Sequence, residues 1–328
     1  MQRITLDDIQ STYSYRSLRP ALSCEHPYKT RNKQTGDIIV ARCNHCPSCL
    51  YLKSLNLTKR LETECTQHKY SIFFTLTYDN AHLPLLHFED SFVAPAADNS
   101  LTLYHSFVLT RTSDAYTLDS KGRRHPFSTV SPFYVDFTSE QLSDLKKPTH
   151  LSGRNIAVCY KPDIQAFVKR LQVNLVRTLK KLNPKKYAQL TSKTLDFRYY
   201  VAAEYGPKSL RPHYHGLAWT DNPDIAQLLL ADGPKGQKGH GIISQNWPLC
   251  APERVDVQTV TSTACNYVAS YIAGSTGLPK VLQDKHFRPF TCCSTSPCIG
   301  CYEVSCISFD SYIKPQPITI KCQRTNIL

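Results

Sequence analysis

The chain has 328 residues, 41% of them apolar, which suffices for one large core or two modest ones and excludes a disordered protein. Lys and Arg number 39 against 26 Asp and Glu, a formal net charge of +13 that favours a polyanionic partner, foremost nucleic acid. No apolar run reaches membrane-spanning length, and Met1-Gln2-Arg3-Ile4-Thr5-Leu6-Asp7-Asp8 lacks the charged-then-apolar layout of a signal peptide, so a cytoplasmic protein without membrane contact is expected.

In chain order, residues 1–50 read as loop. They carry Cys43, Cys46 and Cys49 at x2 spacing with Cys24 upstream, four thiols that could hold a structural zinc; His26 and His45 are spare donors. An iron–sulfur cluster could use the same spacing, and unligated thiols are the bland alternative. Fourteen cysteines without an export signal argue for reduced thiols rather than a disulfide framework. Residues 47–67 read as a basic helix turning Leu50, Leu57 and Leu61 inward, and residues 70–78 as a strand on which Thr75 and Thr77 share a face. Those hydroxyls either line a DNA path or satisfy local backbone groups.

Residues 81–161 mix Pro, Ser and Asp with short strand-like runs such as 101–109, the pattern of an insertion decorating a core. A long helix follows over 162–182, with Pro162 in its first turn and Lys169 and Arg170 among its cations. Then come strands at 197–203 and 213–220, a short helix at 223–230, a strand at 254–260 and a helix that Gly274 ends. The tail after Leu278 contains Cys298-x2-Cys301 without an equally persuasive partner pair. Strands and helices mix without strict alternation, so the expected fold class is α+β, with helices packed on a sheet rather than a doubly wound parallel sheet.

Arg211-Pro212-His213-Tyr214-His215-Gly216 is the most informative stretch. Period-two alternation points His213 and His215 to one face and Tyr214 into the opposite layer, and two imidazoles side by side can hold one divalent metal. Glu204, hard and anionic, is the candidate third ligand. Asn266-Tyr267-Val268-Ala269-Ser270-Tyr271-Ile272-Ala273 reads as a helix, with Thr261-Ser262-Thr263 as possible N-caps. It stacks Tyr267 and Tyr271 at i and i+4. A phenol beside a metal-polarised phosphate is a competent nucleophile; the bland reading is an aromatic stripe packed on the sheet.

Taken together, Ala203-Glu204-Tyr205-Gly206, the His-x-His strand, Tyr267-x3-Tyr271, the cysteines, the Thr-rich strand and the basic helix resemble the HUH endonuclease superfamily. More narrowly they resemble the rolling-circle replication initiators of microviruses, the gokushovirus group above all. The resemblance implies an antiparallel-type central sheet carrying the His-x-His strand, flanked by helices. It implies residues 1–66 as a cysteine-rich segment with a basic helix, 67–277 as the endonuclease domain with an insertion at about 81–161, and 278–328 as a Cys-rich tail. It also implies Mg²⁺ or Mn²⁺ on His213, His215 and Glu204, and attack by Tyr271 or Tyr267 on viral origin DNA, single-stranded or supercoiled. The attack leaves a 5′-phosphotyrosine and a priming 3′-hydroxyl. Lys169, Arg170, Arg211, Thr75 and Thr77 are the expected DNA contacts, host helicase and polymerase the expected partners, and the bacterial cytoplasm the expected location. Related initiators place a lysine near the tyrosines, where this chain has Ser270, Gly274 and Ser275, so phosphate neutralisation falls to Arg211 or Lys280.

Two other classes compete. A noncatalytic zinc-containing nucleic-acid binder explains charge and cysteines but leaves the tyrosines idle. A hydrolase of amidohydrolase type also uses His-x-His, but needs later ligands for which only His240 and His286 are at hand.

Overall fold

The computed structural model describes residues 24–300, apart from 45, 112–115, 120, 122, 127–132, 146–154, 235–240, 261–263 and 271–276. Its central strands run Tyr70–Thr77 (β3), Arg198–Tyr205 (β10), Pro212–Thr220 (β11), Asp256–Thr259 (β12) and Thr291–Cys293 (β13). They form a five-stranded, wholly antiparallel sheet in the order β12-β3-β11-β10-β13. A small hairpin of Tyr28–Arg31 (β1) with Ile38–Ala41 (β2) precedes them. The expected α+β class holds, and an antiparallel sheet is incompatible with the parallel barrel of an amidohydrolase.

The 81–161 stretch contributes Leu85–Pro95 (β4), Leu101–Thr110 (β5), Tyr134–Thr138 (β8) and Asn155–Ala157 (β9), which form their own antiparallel sheet in the order β8-β5-β4-β9. It also holds a short hairpin of Tyr116–Leu118 (β6) with Arg124–Pro126 (β7). Beyond Leu278 the chain returns to the main sheet, because β13 pairs along β10 with Cys292 opposite Val201.

Each face of the central sheet has its own helical cover: Pro47–Gln67 (α1) and Ala264–Ser270 (α3) on one side, Lys161–Leu182 (α2) on the other. Helix α2 buries Ile164, Phe167, Leu171, Leu175 and Leu179, a stripe at three- and four-residue spacing. That stripe joins Phe74, Leu76, Tyr214 and Ala218 in the larger core. Burying each such side chain is worth roughly 1.5–3 kcal/mol. Gly216 is needed here: a Cβ at this position would sit 2.0 Å from the Phe74 ring. The opposite face carries Phe73, Leu217 and Trp219, covered by Leu57 and Leu61 of α1 and by Cys265 and Val268 of α3. These two covering helices are tied to each other by Ser54 Oγ donating to the Ala269 carbonyl at 3.0 Å.

Between Tyr214 and α2 lies a buried polar network. The Tyr214 hydroxyl is 2.9 Å from that of Tyr78, which donates to Asp163 at 2.7 Å, while Arg111 forms an ion pair with the same carboxylate. The Tyr160 amide donates to Tyr214 Oη at 3.0 Å. The residue between the two histidines thus anchors their strand from behind.

Candidate metal and nucleophile site

Antiparallel register assembles the site. His213 pairs with Glu204 on one side and Thr77 on the other; His215 pairs with Ala202 and Thr75; Thr75 pairs onward with Asp256. All these side chains except Ala202 are polar and share the open face. Strand β10 runs on through Tyr205, two residues past the expected end, so Glu204 sits inside the strand and directly opposite His213. Its Oε2 lies 2.9 Å from His213 Nε2 and 3.1 Å from His215 Nε2. The ligand-capable atoms of the three residues all fall within 4.8 Å of one another.

The far ring nitrogens are also held. His213 Nδ1 is 3.0 Å from the Arg211 carbonyl, which only accepts, so that nitrogen carries the proton. Its Nε2 lone pair then points at a carboxylate oxygen, two acceptors face to face unless a proton or a cation lies between. His215 Nδ1 is 3.1 Å from Thr75 Oγ1. Such partners on the far nitrogen orient metal-binding histidines. Burial lowers the pKa of His215, favouring the neutral, ligating form. For Glu204 burial opposes ionisation, yet the hydrogen bonds from His213 and His215 prevail and hold it at about 2. Two imidazoles and a carboxylate suit a divalent cation.

Tyr267 stands over this group. Its ring centroid is 5.1 Å from that of His215, edge to face, and 6.1 Å from Phe73, which itself stacks on His215 at 5.9 Å. The residue is 48% exposed, so the phenol is open to a substrate. Tyr271, the N-cap residues 261–263 and Gly274 lie outside the described residues.

Of the expected DNA contacts, Thr75 holds His215, and Thr77 reaches only the Tyr78 carbonyl at 3.5 Å. Arg211 donates to Asn80 Oδ1 at 2.8 Å and to the Tyr78 carbonyl, at the turn that leads into β11. Burial and the neighbouring Arg254 cation lower its pKa. Arg170 is corrected. It is buried behind the sheet and donates to the Asn246 carbonyl at 3.0 Å, so it supports the core and cannot meet DNA. Lys169 is exposed, but on the helix covering the face away from the histidines. Lys280 pairs with Glu140 at 2.6 Å. Sequence reasoning missed Asp256 and Arg254, whose parity along the strand at 254–260 was the available signal.

The N-terminal cysteines converge as expected. Cys24, Cys43, Cys46 and Cys49 present four sulfurs within 4.8 Å, with Sγ separations of 3.5 Å for Cys24–Cys49, 3.8 Å for Cys43–Cys49 and 4.0 Å for Cys24–Cys46. Four thiolates about 2.3 Å from one tetrahedral ion stand at such separations. Two more features belong to this kind of site: the Cys43 amide donates to Cys24 Sγ and the Cys46 amide to Cys43 Sγ, each at 3.3 Å. Burial and the neighbouring thiols push Cys49 up to about 12, so a cation is needed to keep all four as thiolates. His26 is outside the cluster, and His45 lies outside the described residues. Cys298 is disulfide-bonded, which corrects the expectation of reduced thiols throughout. Its suggested partner Cys301 is outside the described residues.

Residues 154–276 match the family model of the ORF2-type replication-associated proteins. The matched stretch carries α2, Glu204, both histidines, Asp256 and Tyr267, and it fits a rolling-circle replication initiator of single-stranded DNA viruses. No curated protein and no solved structure matches the chain.

Proposed function

We propose that this protein initiates rolling-circle replication by nicking a viral origin through a tyrosine and later resealing the displaced strand. The observation that carries the reading is the meeting of His213, His215 and Glu204 directly beneath the exposed ring of Tyr267. These three residues would hold Mg²⁺ or Mn²⁺, and the cation supplies Lewis-acid polarisation of the scissile phosphate. Thr75 and the Arg211 carbonyl fix the two rings so that both Nε2 atoms converge. A tyrosine Oη forms its bond to phosphorus, giving up its proton, as the bond from phosphorus to the 3′ oxygen breaks and that oxygen takes a proton to become a 3′-hydroxyl. The free hydroxyl primes synthesis, the phosphotyrosine keeps the phosphodiester energy, and a second tyrosine, Tyr271, cuts after one round. Arg211 and Arg254 take the place of the lysine that related initiators keep beside their tyrosines. Residues 67–277 are the nuclease domain in this reading, the 81–161 sheet is an insertion, and host helicase and polymerase act on the opened origin in the bacterial cytoplasm. A microvirus of the gokushovirus type is the source it fits best.

The test is direct. Protein incubated with single-stranded and supercoiled DNA plus Mn²⁺ should form a covalent adduct. Tyr267→Phe and Tyr271→Phe should each keep some adduct and the double variant none. Attachment mapped to a tyrosine outside residues 267–271 would refute the assignment.

The cysteine site is proposed to hold structural zinc, anchoring the start of α1. Purified protein should carry about one zinc per chain, lost in Cys43→Ser/Cys46→Ser. Protein free of both zinc and iron would overturn this.

A further inference from the structure

Next to the histidines, the open face sinks into a cavity of about 390 Å³ lined by Phe73, Thr75, Asp256, Gln258, Thr259 and Tyr267. Its floor and one wall are aromatic, with Phe73 and Tyr267 inclined at 66°. Its rim is β12, the edge strand of the sheet. Val257 is buried in the core behind, so Asp256 and Gln258, two residues apart, both face the cavity, with Gln258 Nε2 3.5 Å from Asp256 Oδ2. An aromatic slot with a polar rim is the chemistry that holds an unpaired base: ring faces stack, and side-chain donors and acceptors read the base edge.

We propose that this cavity receives the base of a nucleotide next to the scissile phosphate and that Asp256 and Gln258 select guanine there. The proposal rests on the nicking reading, because it places the base beside the Tyr267 phenol. A carboxylate in the path of a polyanion opposes binding unless its oxygens are engaged, so Asp256 acts as a filter rather than a general anchor. An ionised carboxylate only accepts, so the base must offer N–H groups. Guanine alone sets two adjacent donors, N1–H and the N2 amino group, beside the O6 acceptor. The donors match the two oxygens of Asp256, and O6 matches the Gln258 amide N–H. Adenine and cytosine bring one amino group next to an acceptor nitrogen, and thymine one N–H between two carbonyls. Each of these sets a lone pair against Asp256.

A single-stranded DNA library randomised around the cut is the probe. Covalent adducts formed by the wild-type protein with Mn²⁺ are isolated and sequenced, and the preferred oligonucleotide is then tested for equilibrium binding in EDTA with each of the four bases at the flanking position. Guanine should be enriched at one position adjoining the cut and bind about tenfold more tightly than the other bases, the scale of one good bidentate base contact. Asp256→Asn and Gln258→Ala should each flatten that preference. Adducts with no base preference beside the cut, or a guanine preference unchanged in both variants, would overturn the pocket while leaving the nicking reading intact. No adduct from wild-type protein on any sequence would sink the nicking reading and the pocket with it.

Discussion

The two faces of the central sheet are built from the same strands and treat polar groups in opposite ways. On the α2 face each residue of the Tyr214, Tyr78, Asp163 and Arg111 network meets a hydrogen-bonding or charged partner of opposite kind, and all four are buried. On the open face His213, His215 and Glu204 converge so tightly that the His213 lone pair confronts a carboxylate. One face is internally complete. The other needs something from outside, and the same strand alternation that sends Tyr214 backward sends the two histidines forward.

That contrast can be broken most sharply on the open face. His213→Ala/His215→Ala should abolish metal-dependent DNA adduct and change stability little, because both side chains stand at a partly exposed site rather than in the main core. Gel assays for adduct, with thermal unfolding as the control, check it. Full adduct formation by the double variant would show that the convergent nitrogens are not used.

The same test on the other face should give the inverse result. Asp163→Ala strands the buried Arg111 guanidinium, and loss of one partner of a buried ion pair costs about 3–5 kcal/mol. Urea denaturation should register that loss. A cost below about 1 kcal/mol, the range of exposed pairs, would mean that water reaches Arg111.

How much of this was legible in the sequence follows from the range of the forces involved. The His-x-His strand, the long helix and the shared face of Thr75 and Thr77 depend on local periodicity, and their bounds came within a residue or two. Glu204 was also found, since a carboxylate near the end of the preceding strand has few other uses. Arg170 was misread because net charge does not say which cations are needed inside: here one guanidinium ties α2 to the Asn246 carbonyl, 76 residues away. Asp256 was invisible for the same reason. Its place beside Thr75 is set by pairing of β12 with β3, some 180 residues apart, and no local pattern encodes that register. The ion pair of Arg111 and Asp163 likewise joins the 81–161 stretch to α2 across 52 residues.

Thr75→Val sharpens the comparison because it keeps the shape of the open face while removing one hydroxyl. In the neutral, ligating tautomer His215 donates from Nδ1 to Thr75 Oγ1, and that bond aims Nε2 at the cation position. Loss of such an orienting partner typically costs about tenfold to a hundredfold in metal affinity. Titration of Mn²⁺ binding should show a shift of that size with little change in unfolding. Unchanged affinity would mean that packing against Phe73 alone fixes the ring.

The smallest expected effect is on the closed face, at the residue between the histidines. Tyr214→Phe keeps the ring, its packing against Trp247 and the strand itself, and removes only the hydroxyl that touches Tyr78 Oη and accepts the Tyr160 amide. Leaving that buried amide without its acceptor should cost about 1–3 kcal/mol. Metal affinity should stay within about twofold of wild type, since the backbone register that sets His213 and His215 is held by β3 and β10 on either side. A large fall in metal affinity with no loss of stability would reverse the division of labour between the faces, showing that the anchor behind the strand exists to aim the histidines in front.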